Sequence, residues 1–192
     1  TSFVRIVIAL SFLRNAIGTQ SSPPNQVIIG ISIFLSIFIM FPVLSQAKQQ
    51  GYDPYKAGEI TIEEAITEGS KPLKTFMVKQ IYEKDLDLFV SLADDRGMID
   101  ASKYDSQDKL ADMSIFVIVP AFMTSELKRA FLIGFLLYIP FLIIDLIVSS
   151  TLMSMGMVML PPTMVSLPFK LLLFITVNGW ELLFSSLVQS FR

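Results

Sequence analysis

Few side chains in this sequence can do chemistry in an apolar setting. Asp145 lies inside LIIDLIV, Lys170 follows in SLPFK, and Glu181 interrupts the last apolar run. An acid in such surroundings is costly unless it finds a partner, so its position marks a functional site by default. Three chemistries are open. Asp145 and Lys170 can pair across a helical hairpin and hold the base of the segment between them. Breaking such a buried pair by removing one partner costs about 3–5 kcal/mol, and a charge swap is expected to restore part of that loss. Alternatively, Lys170 snorkels to a membrane surface while Asp145 faces an aqueous cavity, with Glu181 further along a small-solute path. Third, Asp145 and Glu181 act as a carboxylate pair in a membrane-embedded hydrolase. The chain has no histidine and no cysteine, which removes the commonest general base, the commonest transition-metal ligand, thiolate chemistry and disulfides. With no nucleophile motif and no phosphate loop either, the hydrolase is the weakest of the three. No catalytic, cofactor-binding or metal-ligating residue is assigned.

Between the two charges lies Ser149 to Lys170, SSTLMSMGMVMLPPTMVSLPFK, which holds five of the ten methionines: Met153, Met155, Met157, Met159 and Met164. Four are spaced by two. On a helix each such step turns about 200° and scatters them around the axis; on an extended segment they face one way. Gly156 sits between the middle pair, and Pro161-Pro162 ends any helix soon after. The stretch reads as a one-sided methionine lip on a loop between two apolar helices. Methionine is unbranched and polarizable, so it packs against partners of irregular shape. The competing reading is the apolar end of a buried helix.

Composition sets the frame for these residues. The 192-residue chain is 53% hydrophobic, with a mean hydropathy of +0.61, too apolar for an ordinary soluble domain of this size. Residues 45–129 carry 11 of the 15 Lys+Arg and 15 of the 17 Asp+Glu, a local net charge of −4. Apolar, polar and apolar parts follow one another, the pattern of a membrane protein with one large hydrophilic insertion. No basic patch interleaves with aromatics, so nucleic acid is not an expected partner; membrane lipid is. The polar insertion is too long for its charge to orient the chain in a membrane.

In chain order, Thr1 to Ile17 reads as a helix with Phe3, Ile6, Val7, Leu10, Leu13 and Ile17 in helical spacing, stopped by Gly18. GTQSSPPNQ is a tight hairpin turn with Asn25 as N-cap of the next helix. Val27 to Leu44 is an apolar run broken by Pro42, in which Gly30, Ser32 and Ser36 allow close helix contact. In the polar part, Thr61-Ile-Glu-Glu64 is a capping box. Gly69 is expected to end that helix, and Ser70 to start a second with Pro72 in its first turn and Leu73, Phe76, Met77 and Ile81 as its stripe. Asp85 is expected to cap a third, with Leu86, Phe89, Val90 and Ala93 on its apolar side. Its carboxylates read as solvated faces. Met98 to Met113 reads as a polar loop. Pro120 is expected to open a long helix kinked at Pro140. Ser149, Ser150, Thr151, Ser154 and Gly156 form a small-residue face for helix contact. Leu167 to Val188 is the last apolar run, with Lys170 in its first turn.

The fold class is thus all-α: an integral membrane protein of bent, kinked helical hairpins with a small α-helical hydrophilic module inserted between apolar segments. Three parts follow: an N-terminal apolar hairpin (1–44), a hydrophilic module (45–113), and a C-terminal apolar hairpin with the methionine-rich loop (114–192).

Four long blocks carry a resemblance. RIVIALSFLRNAIGTQSSPPNQV, PAFMTSELKRAFLIGF, PFLIIDLIVSSTLMSMGMVMLPP and SLPFKLLLFITVNGWELLFSSLVQSF together resemble the FliP family of flagellar biosynthesis proteins, sister to the export-gate subunits of virulence type III secretion systems. The forms TQxxPPNQV and MLPPxMxSLPFK are closer to the flagellar branch. The resemblance covers both ends of the chain; the polar middle is unspecific. It implies a non-enzymatic subunit that assembles with copies of itself, FliQ and FliR into an export gate, next to FlhB and FlhA, in the flagellar basal body at the inner membrane. Unfolded flagellar subunits would pass through its channel, and the hydrophilic module would be extracytoplasmic. It implies no cofactor. The family's methionine gasket would correspond to Met157, Val158 and Met159 after Gly156, which makes Met155, Gly156, Met157, Val158 and Met159 the expected pore gasket, and its paired acid and lysine to Asp145 and Lys170. Family members usually show three consecutive methionines, so Val158 is a departure. They also carry an N-terminal segment that this sequence, opening on Thr1, is expected to lack.

Overall fold

The computed structural model describes residues 1–19, 21–100, 113–157 and 159–191. Every regular element among them is helical: α1 (Phe3–Ile17), α2 (Asn25–Ala47), a π-helical turn (Lys48–Tyr52), α3 (Asp53–Ala57), α4 (Ile62–Gln80), α5 (Glu83–Asp95), α6 (Ile115–Ser154), α7 (Pro162–Thr176) and α8 (Gly179–Gln189). Two of these helical stretches, Asn25–Ala57 and Ile115–Ser154, are long and apolar enough to cross a membrane. A third span exists if α7 and α8, bent by 64° at their junction, count together. The all-helical, membrane-apolar architecture expected from composition is the one observed.

The chain forms two compact units, one built chiefly from residues 37–128 and the other from 2–36 and 129–191. In the first, Met77, Ala93, Met113, Val117, Ile118 and Phe122 are buried together, and Phe76, Ile81, Leu86, Phe89 and Val90 pack against them. The stripes read from spacing on α4 and α5 are therefore the faces that meet the first turns of α6. The Thr61 capping box opens α4 as expected, with the Thr61 N–H donating to Glu64 Oε2 at 2.8 Å and the Glu64 N–H to Thr61 Oγ1 at 3.3 Å.

Gly69 does not end that helix. α4 continues through Gly69 and Pro72 to Gln80, and the glycine serves a crossing instead. A Cβ on Gly51, in the π-helical turn, would lie 2.5 Å from the Ala65 carbonyl oxygen and 2.9 Å from the Gly69 Cα. Two glycines let backbone meet backbone there, a need that local spacing cannot reveal.

Asp85 is not a cap either. α5 starts at Glu83 with Tyr82 as its N-cap residue, and Asp85 is buried. The Ser125 hydroxyl donates to its Oδ2 at 2.7 Å, Lys128 donates to its Oδ1, and the Tyr82 N–H donates to Ser125 Oγ at 3.0 Å. This carboxylate pins the start of α5 to α6 and is no solvated surface group. Burial pushes the Asp85 carboxyl up, but the Lys128 and Ser125 hydrogen bonds and the Lys128 charge outweigh it and hold the group below its usual range.

The second unit is built on α1, whose Ile6, Ala9, Leu10, Leu13, Ala16 and Ile17 are buried. Gly18 closes α1 with φ +90°, its N–H donating to the Arg14 carbonyl. A Cβ on Gly134 of α6 would lie 2.5 Å from the Phe12 ring, and Phe12 meets Phe131 edge-on at 5.4 Å. Asn25 is the first residue of α2 and not its cap; its Oδ1 accepts from Arg14 Nη1 at 2.5 Å, bracing the turn. Ser32 and Ser36 are buried, with Ser36 Oγ accepting from Ser2 Oγ at 3.0 Å, while Gly30 faces open space.

The long helix α6 starts at Ile115, not at Pro120, and continues through both Pro120 and Pro140. The last apolar run is two helices. Asn178 adopts φ +52°, and Gly179 follows, a Cβ on which would strike the Phe174 ring at 2.3 Å. The bend brings Phe141, Phe174, Trp180 and Phe184 into a chain of ring contacts, tilted, edge-on and tilted, at centroid distances of 6.3, 5.1 and 5.6 Å.

Gly51→Ala forces its Cβ against backbone that cannot yield and is expected to destabilise the detergent-solubilised protein by about 1–3 kcal/mol. Gly30→Ala, with nothing nearby and a better helix former, is expected to leave the melting temperature unchanged or raise it. Equal shifts from both variants would contradict the crossing. The Asp85 contacts carry a pH signature. A carboxyl whose folded pKa is depressed adds stability above its unfolded value, ordinarily 3.8, and loses it as pH falls through the lower folded value. Below about pH 4, Asp85→Asn is expected to flatten the acid-side fall in melting temperature; an unaltered profile there would count against the pairing.

Candidate functional site

The two charges set in apolar sequence, Asp145 and Lys170, are brought together. Asp145 is on α6, a little over two turns before its end at Ser154. Lys170 is on α7, which begins at Pro162 and continues through Pro168, so the lysine lies in its third turn and not its first. Lys170 Nζ is 2.6 Å from Asp145 Oδ2. The lysine side chain is 5% exposed and the aspartate 24%. The pair closes the α6–α7 hairpin below the methionine segment.

Two further groups belong to this site. Ser166, fully buried one turn before Lys170, donates to Asp145 Oδ1 at 2.6 Å. Lys170 Nζ also donates to the Ala16 carbonyl of α1 at 3.0 Å. The serine has a signal in the sequence, its i, i+4 spacing from the lysine on one helix face. The carbonyl has none, because every residue type carries one. Arg5 is another polar residue whose role spacing did not reveal: it is fully buried, donates from Nη1 to the Ser190 carbonyl and hydroxyl oxygens at 2.7 and 2.9 Å, and lies 3.7 Å over the Phe191 ring. Glu181 is exposed in the first turn of α8, where the helix dipole favours an acid. It makes no hydrogen bond to Asp145, whose oxygens accept from Ser166 and Lys170. A carboxylate held by a cation and a hydroxyl is built to fix helices.

Beyond the pair, α6 ends in a glycine-closed turn. The Gly156 N–H donates to the Met153 carbonyl and the Met157 N–H to the Leu152 carbonyl, both at 3.0 Å, with Gly156 at φ +74°. This left-handed end satisfies two of the last carbonyls and turns the chain out of the helix. Met153, Met155, Met157, Met159 and Met164 are all exposed, Met159 at 97%. The buried-helix-end reading of this stretch does not hold within the chain. Met153 is still helical, so the methionines of step two begin on a helix and continue beyond it. Val158 lies outside the described residues. Ser150, Thr151, Ser154 and Gly156, expected to support a helix contact, are exposed, and nothing stands within 4 Å of a Cβ at Gly156.

The described chain is thus an all-helical membrane protein whose buried charges fix helices around an exposed methionine segment. The family model described as "FliP family" matches residues 1–187, and the chain belongs to that family. It is similar to the flagellar biosynthetic protein FliP of Bacillus subtilis, 51% identical over 191 residues, covering 100% of this chain and 82% of the relative. The FliP of Pectobacterium carotovorum is 50% identical, with 100% and 70% covered. That of Aquifex aeolicus is 47% identical, with 100% and 77% covered.

Proposed function

We propose that this chain is a subunit of the flagellar type III protein export gate. Copies of it assemble with FliQ and FliR, next to FlhB and FlhA, around a channel in the bacterial inner membrane. Unfolded flagellar subunits pass through that channel. The segment Met155, Gly156, Met157, Val158 and Met159 forms one part of a gasket that the copies complete together. Residues 45–113 form an extracytoplasmic module between the apolar parts 1–44 and 114–192. The chain catalyses nothing; energy enters through its partners.

The observation that carries this reading is the exposed methionine segment mounted on a charge-locked hairpin, in a chain of a flagellar biosynthesis family. Large apolar side chains left on a surface need a partner. Methionine suits a partner that changes, because it repacks at low cost against any apolar surface. A rigid base and a soft tip are what a seal around a moving polypeptide requires.

Deleting Met157 to Met159 is expected to leave the complex assembled while the membrane becomes leaky to small ions. The check is the leak of cells or liposomes carrying the assembled variant. An assembled deletion variant with the parental leak would sink the gasket.

A further inference from the structure

The Asp145–Lys170 pair has a member that a plain ion pair lacks. Lys170 Nζ is shared between Asp145 Oδ2 at 2.6 Å and the Ala16 carbonyl at 3.0 Å. Ala16 lies in the last turn of α1, where carbonyls lack intrahelical donors and the helix end carries partial negative charge. The Arg14 carbonyl is satisfied by the Gly18 N–H; the Ala16 carbonyl is satisfied by the lysine. Ser166 holds the other carboxylate oxygen. We propose that Lys170, oriented through Asp145 and Ser166, is the C-terminal cap of α1, and that the site is a three-helix lock through which the end of α1 sets the position of the methionine segment. The proposal rests on the gate reading for its purpose but not for its geometry.

The lock is directional. A carboxylate at position 170 would face the Ala16 carbonyl, two acceptors with no proton between them, at the negative end of α1. The charge swap that would rescue a plain ion pair therefore does not rescue this site. Asp145→Asn keeps one acceptor, its amide oxygen, for Lys170, while its NH2 can donate to the Ser166 hydroxyl, which has the Thr163 carbonyl as its own acceptor at 3.2 Å; the lysine keeps the Ala16 carbonyl. Lys170→Met removes the cap and leaves Asp145 held by Ser166 alone. α7, which bears Lys170 and Ser166, also starts at the far end of the methionine segment. Loosening α1 from the lysine frees that segment at its base.

Hydrogen–deuterium exchange on the purified full chain tests the lock without any export assay. The amides of residues 155–157, held by the glycine-closed turn, are the reporters. Lys170→Met and the swap Asp145→Lys with Lys170→Asp are expected to speed their exchange several-fold, Asp145→Asn far less. Ser166→Ala is expected to speed it and Ser166→Thr, which keeps the hydroxyl, to leave it near parental. Gly18→Ala strains the end of α1 directly: its φ of +90° suits glycine, and the added Cβ meets Lys170 Nζ only at ordinary contact distance, 3.9 Å. It is expected to speed exchange at both the end of α1 and residues 155–157. A swap that restores parental exchange, or a Gly18→Ala effect confined to α1, overturns the lock. If the charge variants fail to fold, the Gly18 and Ser166 variants still decide. A parental leak on deleting Met157 to Met159 would instead remove the gasket and leave these exchange results standing.

Discussion

The arrangement of the second unit depends on one desolvated ammonium group. Lys170 is nearly withdrawn from solvent, and an ammonium in that position is tolerable only if its protons find acceptors and its charge a counter-charge. It finds a carboxylate on α6 and a carbonyl at the end of α1. Because both are needed, three helix segments are fixed to one atom. Apolar packing alone gives less direction: smooth aliphatic faces slide and repack at small cost, whereas a short charge-assisted hydrogen bond fixes a register.

A second constraint recurs at the glycines, where backbone or a ring lies too close for a Cβ. Gly51 admits α4 backbone, Gly134 admits Phe12, and Gly179 admits Phe174. These contacts let helices and rings interlock at positions where side chains would hold them apart. The remaining large apolar surface, including Phe34, Phe38, Phe41 and the methionines, stays exposed in the single chain. For helices of membrane-spanning length, lipid and protein partners are the physical cover for such surface.

Much of the fold was legible where the cause is local. The Thr61–Glu64 box, the Gly18 stop, the α4 and α5 stripes and the apolar spans each follow from a few neighbouring residues, and each is present. The misread positions share one reason: a tertiary contact outvoted a local preference. Gly69 looks like a helix end and is a crossing point. Asp85 looks like a cap and is a buried ion-pair partner. Pro72 and Pro120 look like helix starts and sit inside helices whose packing tolerates the lost hydrogen bond. At the candidate site, the rarity of charge in apolar sequence pointed to Asp145 and Lys170. The Ala16 carbonyl could not be seen, because a backbone acceptor leaves no trace in residue type.

In the proposed gate, a rigid hairpin presenting soft, exposed methionines makes a seal only when several copies bring those segments together. That gate requires assembly, and the most direct measurement is the mass and composition of the detergent-extracted complex purified through a tag on this chain. Native mass spectrometry is expected to find several copies together with FliQ and FliR chains. A lone monomer or plain dimer under conditions that keep other membrane complexes intact would contradict the gate and leave the methionines without a seal to form.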